Sequence, residues 1–195
     1  MGYPLKKDGV ERFTWQDYLT WPEEERWEVI GGKAYNMSPS PTERHQRILV
    51  NLTVQLNEKL RGTPCRVYAA PLDVYFDDYN FVQPDVFVVC DKNKIKDKIY
   101  GAPDLIIEVL SFFTAVKDRK IKKELYEKFG VREYILVHPE ENYIEIFLLT
   151  AGGYSEPDII GADEVFKSGI FENLEIPLWE VFEVAKPEIQ INETS

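Results

Sequence analysis

The spacing of hydrophobic residues along the chain predicts two major helices. Between residues 42 and 61, and again between 115 and 129, apolar residues recur every three or four positions, as they do on one face of a helix. A glycine, Gly62 or Gly130, directly follows each stretch, and glycine commonly ends helices. The apolar face of the first helix consists of Ile48, Leu49, Leu52 and Leu56. Shorter helices are predicted at 14–19 and 178–182.

Other hydrophobic segments have the length and pattern of β-strands. The runs 85–90 and 105–110 are almost continuously apolar, which is typical of strands buried on both faces. The pair Gly31-Gly32 separates two short segments and predicts a β-hairpin. Further strands are predicted at 66–70, 72–76, 133–137 and 143–149, of which the first two form one bent strand or two separate ones.

This order of elements predicts an α/β or α+β fold in which helices flank a mixed β-sheet. We expect one domain over residues 1–195, with loose ends at 1–10 and 184–195. Cys65 and Cys90 are expected to be small core residues, because two cysteines do not make a disulfide framework.

Composition and charge narrow the range of functions. The formal net charge of −11 argues against a protein that binds nucleic acid broadly through its overall charge. Two segments, 91–98 and 117–128, are nevertheless locally basic and could approach a phosphate backbone. No apolar stretch reaches the roughly 20 residues of a membrane span. No secretory signal is visible, so we expect a cytoplasmic protein that does not associate with membranes.

One carboxylate, Glu108, interrupts the apolar run 105–110. A buried carboxylate without a partner is costly, so Glu108 is expected to be ion-paired, protonated or bound to a metal ion. Asp85 follows Pro84 at the start of the other buried run and can lie beside Glu108 on a neighbouring strand. Asp104 is a poorer partner, because four residues along one strand separate two Cα atoms by about 13 Å.

Asp85 and Glu108 together would suit Mg²⁺, which takes few protein ligands and keeps several waters. The alternatives remain open for both residues. Glu108 could belong to a structural ion pair, and Asp85 could be a turn or capping residue.

The phase of the second helix separates Lys122 from its basic neighbours. At about 100° per residue, Lys122 falls at the edge of the buried face, in line with Asp118 and Tyr126. Lys120 and Lys123 fall on the solvent side. Lys122 can therefore reach over the end of the sheet, or else extend toward solvent while paired with Asp118. The predicted core face consists of Ile121, Leu125 and Phe129.

Short motifs over nearly the whole chain follow one another in a recognisable order. They are Trp27-Glu28-Val29-Ile30-Gly31-Gly32, Ser38-Pro39 with His45-Gln46, Pro71-Leu72-Asp73-Val74, Val82-Gln83-Pro84-Asp85, the segment 101–111, Asp118 with Lys122 and Tyr126, and Gly130-Val131 with Glu133-Tyr134. In order and spacing they resemble the PD-(D/E)xK nuclease superfamily, and most of all its large bacterial branch of restriction-endonuclease-like proteins of unassigned role.

The resemblance implies a restriction-endonuclease-like fold and metal-assisted hydrolysis of phosphodiester bonds. Asp85 matches the aspartate of the Pro-Asp half-motif, and Glu108 matches the acid that follows it. These two residues would hold Mg²⁺, or Mn²⁺ as a substitute, with the backbone carbonyl of Val109 as a third ligand.

The resemblance also assigns roles to a lysine and to a further acid. The superfamily's usual lysine, two residues beyond the acid, is absent because Leu110 stands there. Lys122 matches the position of a lysine that this branch carries on the next helix, where it would orient the attacking water or stabilise the developing charge. Glu28 matches an extra acid near the metal, which would hold a water on the metal or a second ion.

The predicted function is therefore a Mg²⁺-dependent endonuclease acting on DNA. We expect a homodimer, because nucleases that cut both strands often pair two active sites. The alternative is an inactive nuclease fold that binds nucleic acid or a protein partner, which the acidic charge and Leu110 favour. His45 could line the cleft, although a lone histidine on a helix is more often structural or exposed, and His138 is expected in a loop.

Overall fold

The computed structural model describes residues 12–22, 25–37, 40–111 and 116–188. The predicted loose end at 1–10 lies outside these ranges, and so does most of the second one, 184–195. Its residues 184–188 are described and have no regular secondary structure. A π-helical segment, Lys117–Lys122, leads directly into α3, and a 3₁₀ turn covers Lys92–Lys94. The α-helices are α1 (Trp15–Tyr18), α2 (Glu43–Lys59), α3 (Lys123–Phe129) and α4 (Leu178–Phe182).

The strands of the described ranges form three sheets. They are β1 (Trp27–Ile30), β2 (Lys33–Asn36), β3 (Arg66–Ala69), β4 (Val74–Asp77), β5 (Asn80–Val82), β6 (Val86–Val89), β7 (Ile99–Tyr100), β8 (Leu105–Val109), β9 (Glu133–His138), β10 (Tyr143–Thr150), β11 (Gly153–Tyr154), β12 (Asp158–Gly161), β13 (Val165–Lys167) and β14 (Glu175–Pro177). A seven-stranded mixed sheet has the order β11-β10-β9-β8-β6-β3, with β12 also on β10. A five-stranded sheet has the order β2-β1-β5-β4-β7, and β13 pairs with β14.

The hydrophobic pattern predicted α2 correctly. Thr42 caps its first turn by accepting a hydrogen bond from the His45 N–H, and the four predicted apolar residues are buried against the seven-stranded sheet. The helix ends at Lys59, two residues before the predicted end. The predicted hairpin at Gly31-Gly32 is also confirmed, because β1 and β2 pair across these two left-handed glycines. No helix of the described ranges is long and apolar enough to cross a membrane.

The region around residues 66–82 differs from the prediction in its pairing. The segments 66–70 and 72–76 are two strands that belong to different sheets, since β3 pairs with β6 and β4 pairs with β5. Strand β5 was not predicted, because its three residues are too few for alternation to be visible.

The prediction that Cys65 and Cys90 are unpaired core residues is wrong. The two cysteines form a disulfide bond, and both pack against the edge of the main core. Arg66 pairs with Val89 in the β3–β6 ladder, so the next positions outward bring the two cysteines opposite each other. Their spacing in the sequence, 25 residues, does not reveal this register.

The buried face of the second helix also differs from the prediction. Ile121 and Phe129 are only partly buried, whereas Asp118 and Lys122 are each 2% exposed. The prediction assumed α-helical winding throughout. A π-helix closes its hydrogen bonds between residues i and i+5, so each turn is wider and the buried face rotates toward the polar residues.

Candidate active site

The strand register brings Asp85 and Glu108 to neighbouring positions. Strands β6 and β8 are antiparallel, with Val86 opposite Ile107, so the next residues outward are Asp85 and Glu108. The Asp85 carboxylate accepts a hydrogen bond of 2.8 Å from the Val109 N–H. Asp104 lies elsewhere, where it pairs with Arg132 at 2.7 Å.

Glu108 faces the helical segment that follows its strand. It is 3% exposed, and its Oε1 accepts hydrogen bonds from Lys122 Nζ at 2.8 Å and from the Tyr126 hydroxyl at 2.7 Å. Burial raises the pKa of Glu108 to about 8, and three neighbouring carboxylates add to the rise against the opposing charge of Lys122. Glu108 is thus paired, but the pairing does not balance the negative charge around it.

Glu28 reaches the same point from the other sheet, on β1. It is fully buried, and its Oε1 accepts a hydrogen bond from the Gln83 N–H and lies 2.7 Å from Lys122 Nζ. Its Oε2 lies 2.5 Å from Lys117 Nζ. Burial alone would raise the pKa of Glu28, but Lys117 and Lys122 outweigh it and lower the pKa to about 2. Glu28 is therefore ionised and held between two ammonium groups.

Lys122 lies at the centre of this group of side chains. Its Nζ contacts Glu28 and Glu108, and lies 3.7 Å from Asp118 Oδ1. Burial would lower the pKa of Lys122, but the charges of these carboxylates raise it well above the usual value. The lysine therefore stays protonated although its side chain is only 3% exposed.

His45 belongs to the site, although it was not among the predicted site residues. Its Nε2 lies 3.3 Å from Asp85 Oδ2, and the residue is 7% exposed. Burial would lower the pKa of His45, but hydrogen bonds to Asp85 and the Val109 backbone, together with the Asp85 charge, raise it. The one sequence signal for His45 was its place among the family motifs. Lys117, also missed, gave no signal beyond lying in a basic segment.

The site has the composition of a cation site. Four carboxylates face two ammonium groups, and three of these carboxylates add to the rise in the pKa of Glu108 that burial causes. The predicted ligands are oxygens of Asp85, Glu108 and the Val109 backbone, which are the donors that Mg²⁺ and Mn²⁺ prefer. Asp85 has a side chain that is 20% exposed, so this edge of the site meets solvent.

The positions of these donors give less support for a metal ion than their chemical types do. No three His, Cys, Asp or Glu side chains in the described ranges are placed to hold a metal ion together. The predicted ligands are two carboxylates and one backbone carbonyl, so only two of them are side chains, one fewer than a group of three. The donor chemistry therefore fits a divalent cation, and the roles of Asp85, Glu108 and Val109 as ligands stay predictions.

Comparison with known proteins identifies what the chain is similar to. The model of the Uma2 family, described as "putative restriction endonuclease", matches residues 15–178. The chain is also similar to the crystal structure of "a putative nuclease belonging to DUF820" from Anabaena variabilis ATCC 29413, with a TM-score of 0.72 and 20% identity over 88% of this chain and 98% of that one. No curated protein matches the chain. The structural match confirms the predicted fold class.

Proposed function

The chain belongs to the Uma2 family, since the family model covers most of its length, and on this basis we propose that it is a metal-dependent endonuclease that hydrolyses phosphodiester bonds in DNA. The family match confirms the predicted family, and the family and fold support a nuclease. The observation that carries the metal-dependent part is the excess of carboxylates around Glu108, which a divalent cation would offset.

The residues that would hold Mg²⁺ or Mn²⁺ are Asp85, Glu108 and the Val109 carbonyl. When bound, the ion would lower the pKa of water and offset charge on the phosphate in the transition state. His45 supports this set, because its Nε2 contacts the same Asp85 oxygen that the Val109 N–H holds. Orientation of a ligand by such neighbouring groups strengthens metal sites generally.

The reaction is the addition of water to a phosphodiester. The water oxygen bonds to phosphorus, one ester P–O bond breaks, and the released oxygen takes up a proton, which leaves a phosphate monoester and a hydroxyl. Negative charge builds on the phosphate oxygens as the water adds. A lysine ammonium can orient the water or stabilise this charge, and Lys122 is the lysine that the sequence predicts for that role.

A plasmid-nicking assay with Mg²⁺ or Mn²⁺ tests this function. We expect wild-type protein to nick supercoiled DNA and Glu108→Ala to have lost the activity, because the substitution removes a metal-binding oxygen. Asp104→Ala is the matched control, since it changes the neighbouring acid that the structure places in a separate ion pair. Equal activity of wild type and Glu108→Ala would show that the hydrolase proposal is wrong.

Calorimetry with Mn²⁺ separates this function from the inactive-module alternative. The nuclease proposal requires binding that Asp85→Ala weakens, whereas an idle fold would bind no Mn²⁺ through Asp85. A homodimer is part of the proposal, because cutting both strands calls for two sites, and sedimentation would measure it.

A further inference from the structure

We propose that Lys117, and not Lys122, is the lysine that contacts the phosphate of the substrate, while Lys122 holds the carboxylates of the site in position. This inference rests on the proposed function, because it names the residue that meets the phosphodiester. It concerns two lysines on one helical segment that both contact Glu28.

The π-helical segment explains why two lysines reach the same carboxylate. Lys117 and Lys122 are five residues apart, and in an α-helix they would point about 140° away from each other. Hydrogen bonding between residues i and i+5 widens each turn beyond the roughly 3.6 residues of an α-helix, so residues five apart lie closer to one face. The two Nζ atoms accordingly contact the two oxygens of Glu28. Wide turns of this kind are frequent at functional sites.

The two lysines differ in how many of their hydrogen-bond donors are occupied. An ammonium group has three N–H donors. Lys122 is surrounded by the carboxylates of Glu28, Glu108 and Asp118, so its donors face groups of the protein. Lys117 contacts Glu28 and, within the described ranges, no other carboxylate. Lys117 therefore has donors for an oxygen from outside the protein, whereas Lys122 uses two donors on Glu28 and Glu108 and its third side faces Asp118 at 3.7 Å.

Accessibility points the same way. The Lys122 side chain is 3% exposed, and a phosphate could reach it only after the carboxylates had moved apart. The Lys117 side chain is 14% exposed. It also follows Val116, which is 70% exposed, so the segment enters the site from the surface at Lys117.

These contacts give the two lysines different roles. Lys122 neutralises the buried carboxylates, and without it their mutual repulsion would open the site. Lys117 is fixed at one point by the fully buried Glu28 and can donate to a non-bridging phosphate oxygen. That oxygen gains negative charge in the transition state, and a fixed ammonium stabilises the charge without transferring a proton. Glu28 thereby becomes a positioning residue for Lys117.

The test compares Lys117→Met with Lys122→Met and with the matched control Lys120→Met, which changes an exposed lysine of the same segment. The readouts are the nicking rate at saturating DNA, the melting temperature and the Mn²⁺ affinity from calorimetry. We expect Lys117→Met to slow nicking by about 10²- to 10³-fold, as loss of a single charge-stabilising donor does. Its Mn²⁺ affinity should stay within about threefold of wild type, because Lys117 is not expected to touch the predicted ligands.

The other variants separate a functional role from a structural one. Lys122→Met should lower the melting temperature more than Lys117→Met does, or prevent folding, because three buried carboxylates lose the cation that they share and only Glu28 keeps another one, Lys117. Lys117→Arg should recover part of the rate, since it keeps the charge, and Lys120→Met should nick as wild type does. Wild-type activity of Lys117→Met would overturn the inference, as would a melting temperature lowered as much as in Lys122→Met. If Glu108→Ala still nicks DNA like wild type, the proposed function itself fails.

Discussion

Two buried polar clusters lie beside each other on one face of the seven-stranded sheet, under the segment 117–129. We call them the Glu108 cluster and the His138 cluster. The strand registers relate them directly, since Glu108 lies opposite Leu136 and Leu136 lies opposite Glu145. The Glu108 cluster consists of Glu28, Asp85, Glu108, Asp118, Lys117 and Lys122, with His45 at its edge. The His138 cluster consists of Arg119, His138 and Glu145.

The clusters contain the same kinds of side chain but differ in charge balance. In the His138 cluster, Arg119 forms two hydrogen bonds to the single carboxylate of Glu145, and its Nη2 lies 3.1 Å from His138 Nε2. Burial lowers the pKa of His138, and the same Nε2 also lies 3.1 Å from Glu145 Oε1. One cation thus balances one anion. The Glu108 cluster has four carboxylates for two ammonium groups. Burial raises the pKa of Glu108 to about 8, and the three neighbouring carboxylates add to the rise.

This difference gives a criterion for telling a functional buried polar cluster from a structural one when no ligand is known. Both clusters are well hydrogen-bonded, so hydrogen bonding does not separate them. Charge balance does separate them, because a balanced cluster needs no further ion, whereas the cation that we propose would offset the excess charge of the unbalanced one. Measurements on each cluster can therefore strengthen or weaken the comparison.

The largest expected effect is the pH dependence of stability in metal-free protein. The folded-state pKa of Glu108, about 8, is above its ordinary value of 4.5, so folding is favoured by protonation. Its contribution to the free energy of unfolding is complete below pH 4.5 and is lost as the pH rises to about 8. The expected slope is up to about 1.4 kcal/mol per pH unit. Glu108→Gln cannot ionise and should lack this loss.

Urea denaturation of wild type and Glu108→Gln from pH 5 to 8 measures this effect. The difference in unfolding free energy should move steadily in favour of the glutamine variant as the pH rises. Parallel curves would mean that the Glu108 cluster is as balanced as the His138 cluster. Glu28 should act in the opposite sense, because its pKa is lowered to about 2, and its contribution is lost as the pH falls from 4.5 toward that value.

A smaller effect is expected from Arg119→Ala in the His138 cluster. The substitution leaves Glu145, whose side chain is 8% exposed, without its cation. We expect a loss of about 2 kcal/mol in the free energy of unfolding, less than for a fully buried pair because Arg119 is itself 43% exposed. Nicking activity of the folded protein should not change. A loss of activity larger than the loss of folded protein would show that the His138 cluster also belongs to the active site.

The smallest effect is expected from a hydroxyl. Tyr126→Phe removes the 2.7 Å hydrogen bond to Glu108 and should cost about 1 kcal/mol, or about 2–4 °C in melting temperature. Tyr143→Phe is the matched control, because Tyr143 stacks on His138 through its ring at 3.9 Å and the ring remains. Equal melting temperatures of the two variants would show that the Tyr126 hydroxyl does not stabilise the buried carboxylate.

Local patterns in the sequence were enough to predict the major helices and most strands. The spacing of Ile48, Leu49, Leu52 and Leu56 predicted the buried face of α2, because that face follows from regular α-helical winding. The meeting of Asp85 with Glu108 was also predictable, since each interrupts or begins a strand that is buried on both faces. What these predictions share is that each depends on one element or on one pair of neighbouring elements.

The parts that could not be predicted depend on irregular winding or on long-range register. No residue pattern marks the π-helical segment, so the sequence did not predict that Lys117 contacts Glu28 as Lys122 does. His45 lies 40 positions before Asp85 in the sequence, and only the packing of α2 brings them together. The disulfide between Cys65 and Cys90 likewise depends on how β3 pairs with β6.

The origin of Glu28 on a different sheet from Glu108 has a mechanical consequence. Lys117 and Lys122 follow β8 of the seven-stranded sheet, and their contacts with Glu28 connect this sheet to the five-stranded sheet. The Lys117 contact spans 89 residues of sequence. The two sheets cannot separate without breaking the site. By the same linkage, any ligand that binds only the assembled site adds its binding free energy to the docking of the sheets. Bound substrate or ion would then hold the two sheets together, and the rigidity of the molecule would depend on whether the site is occupied.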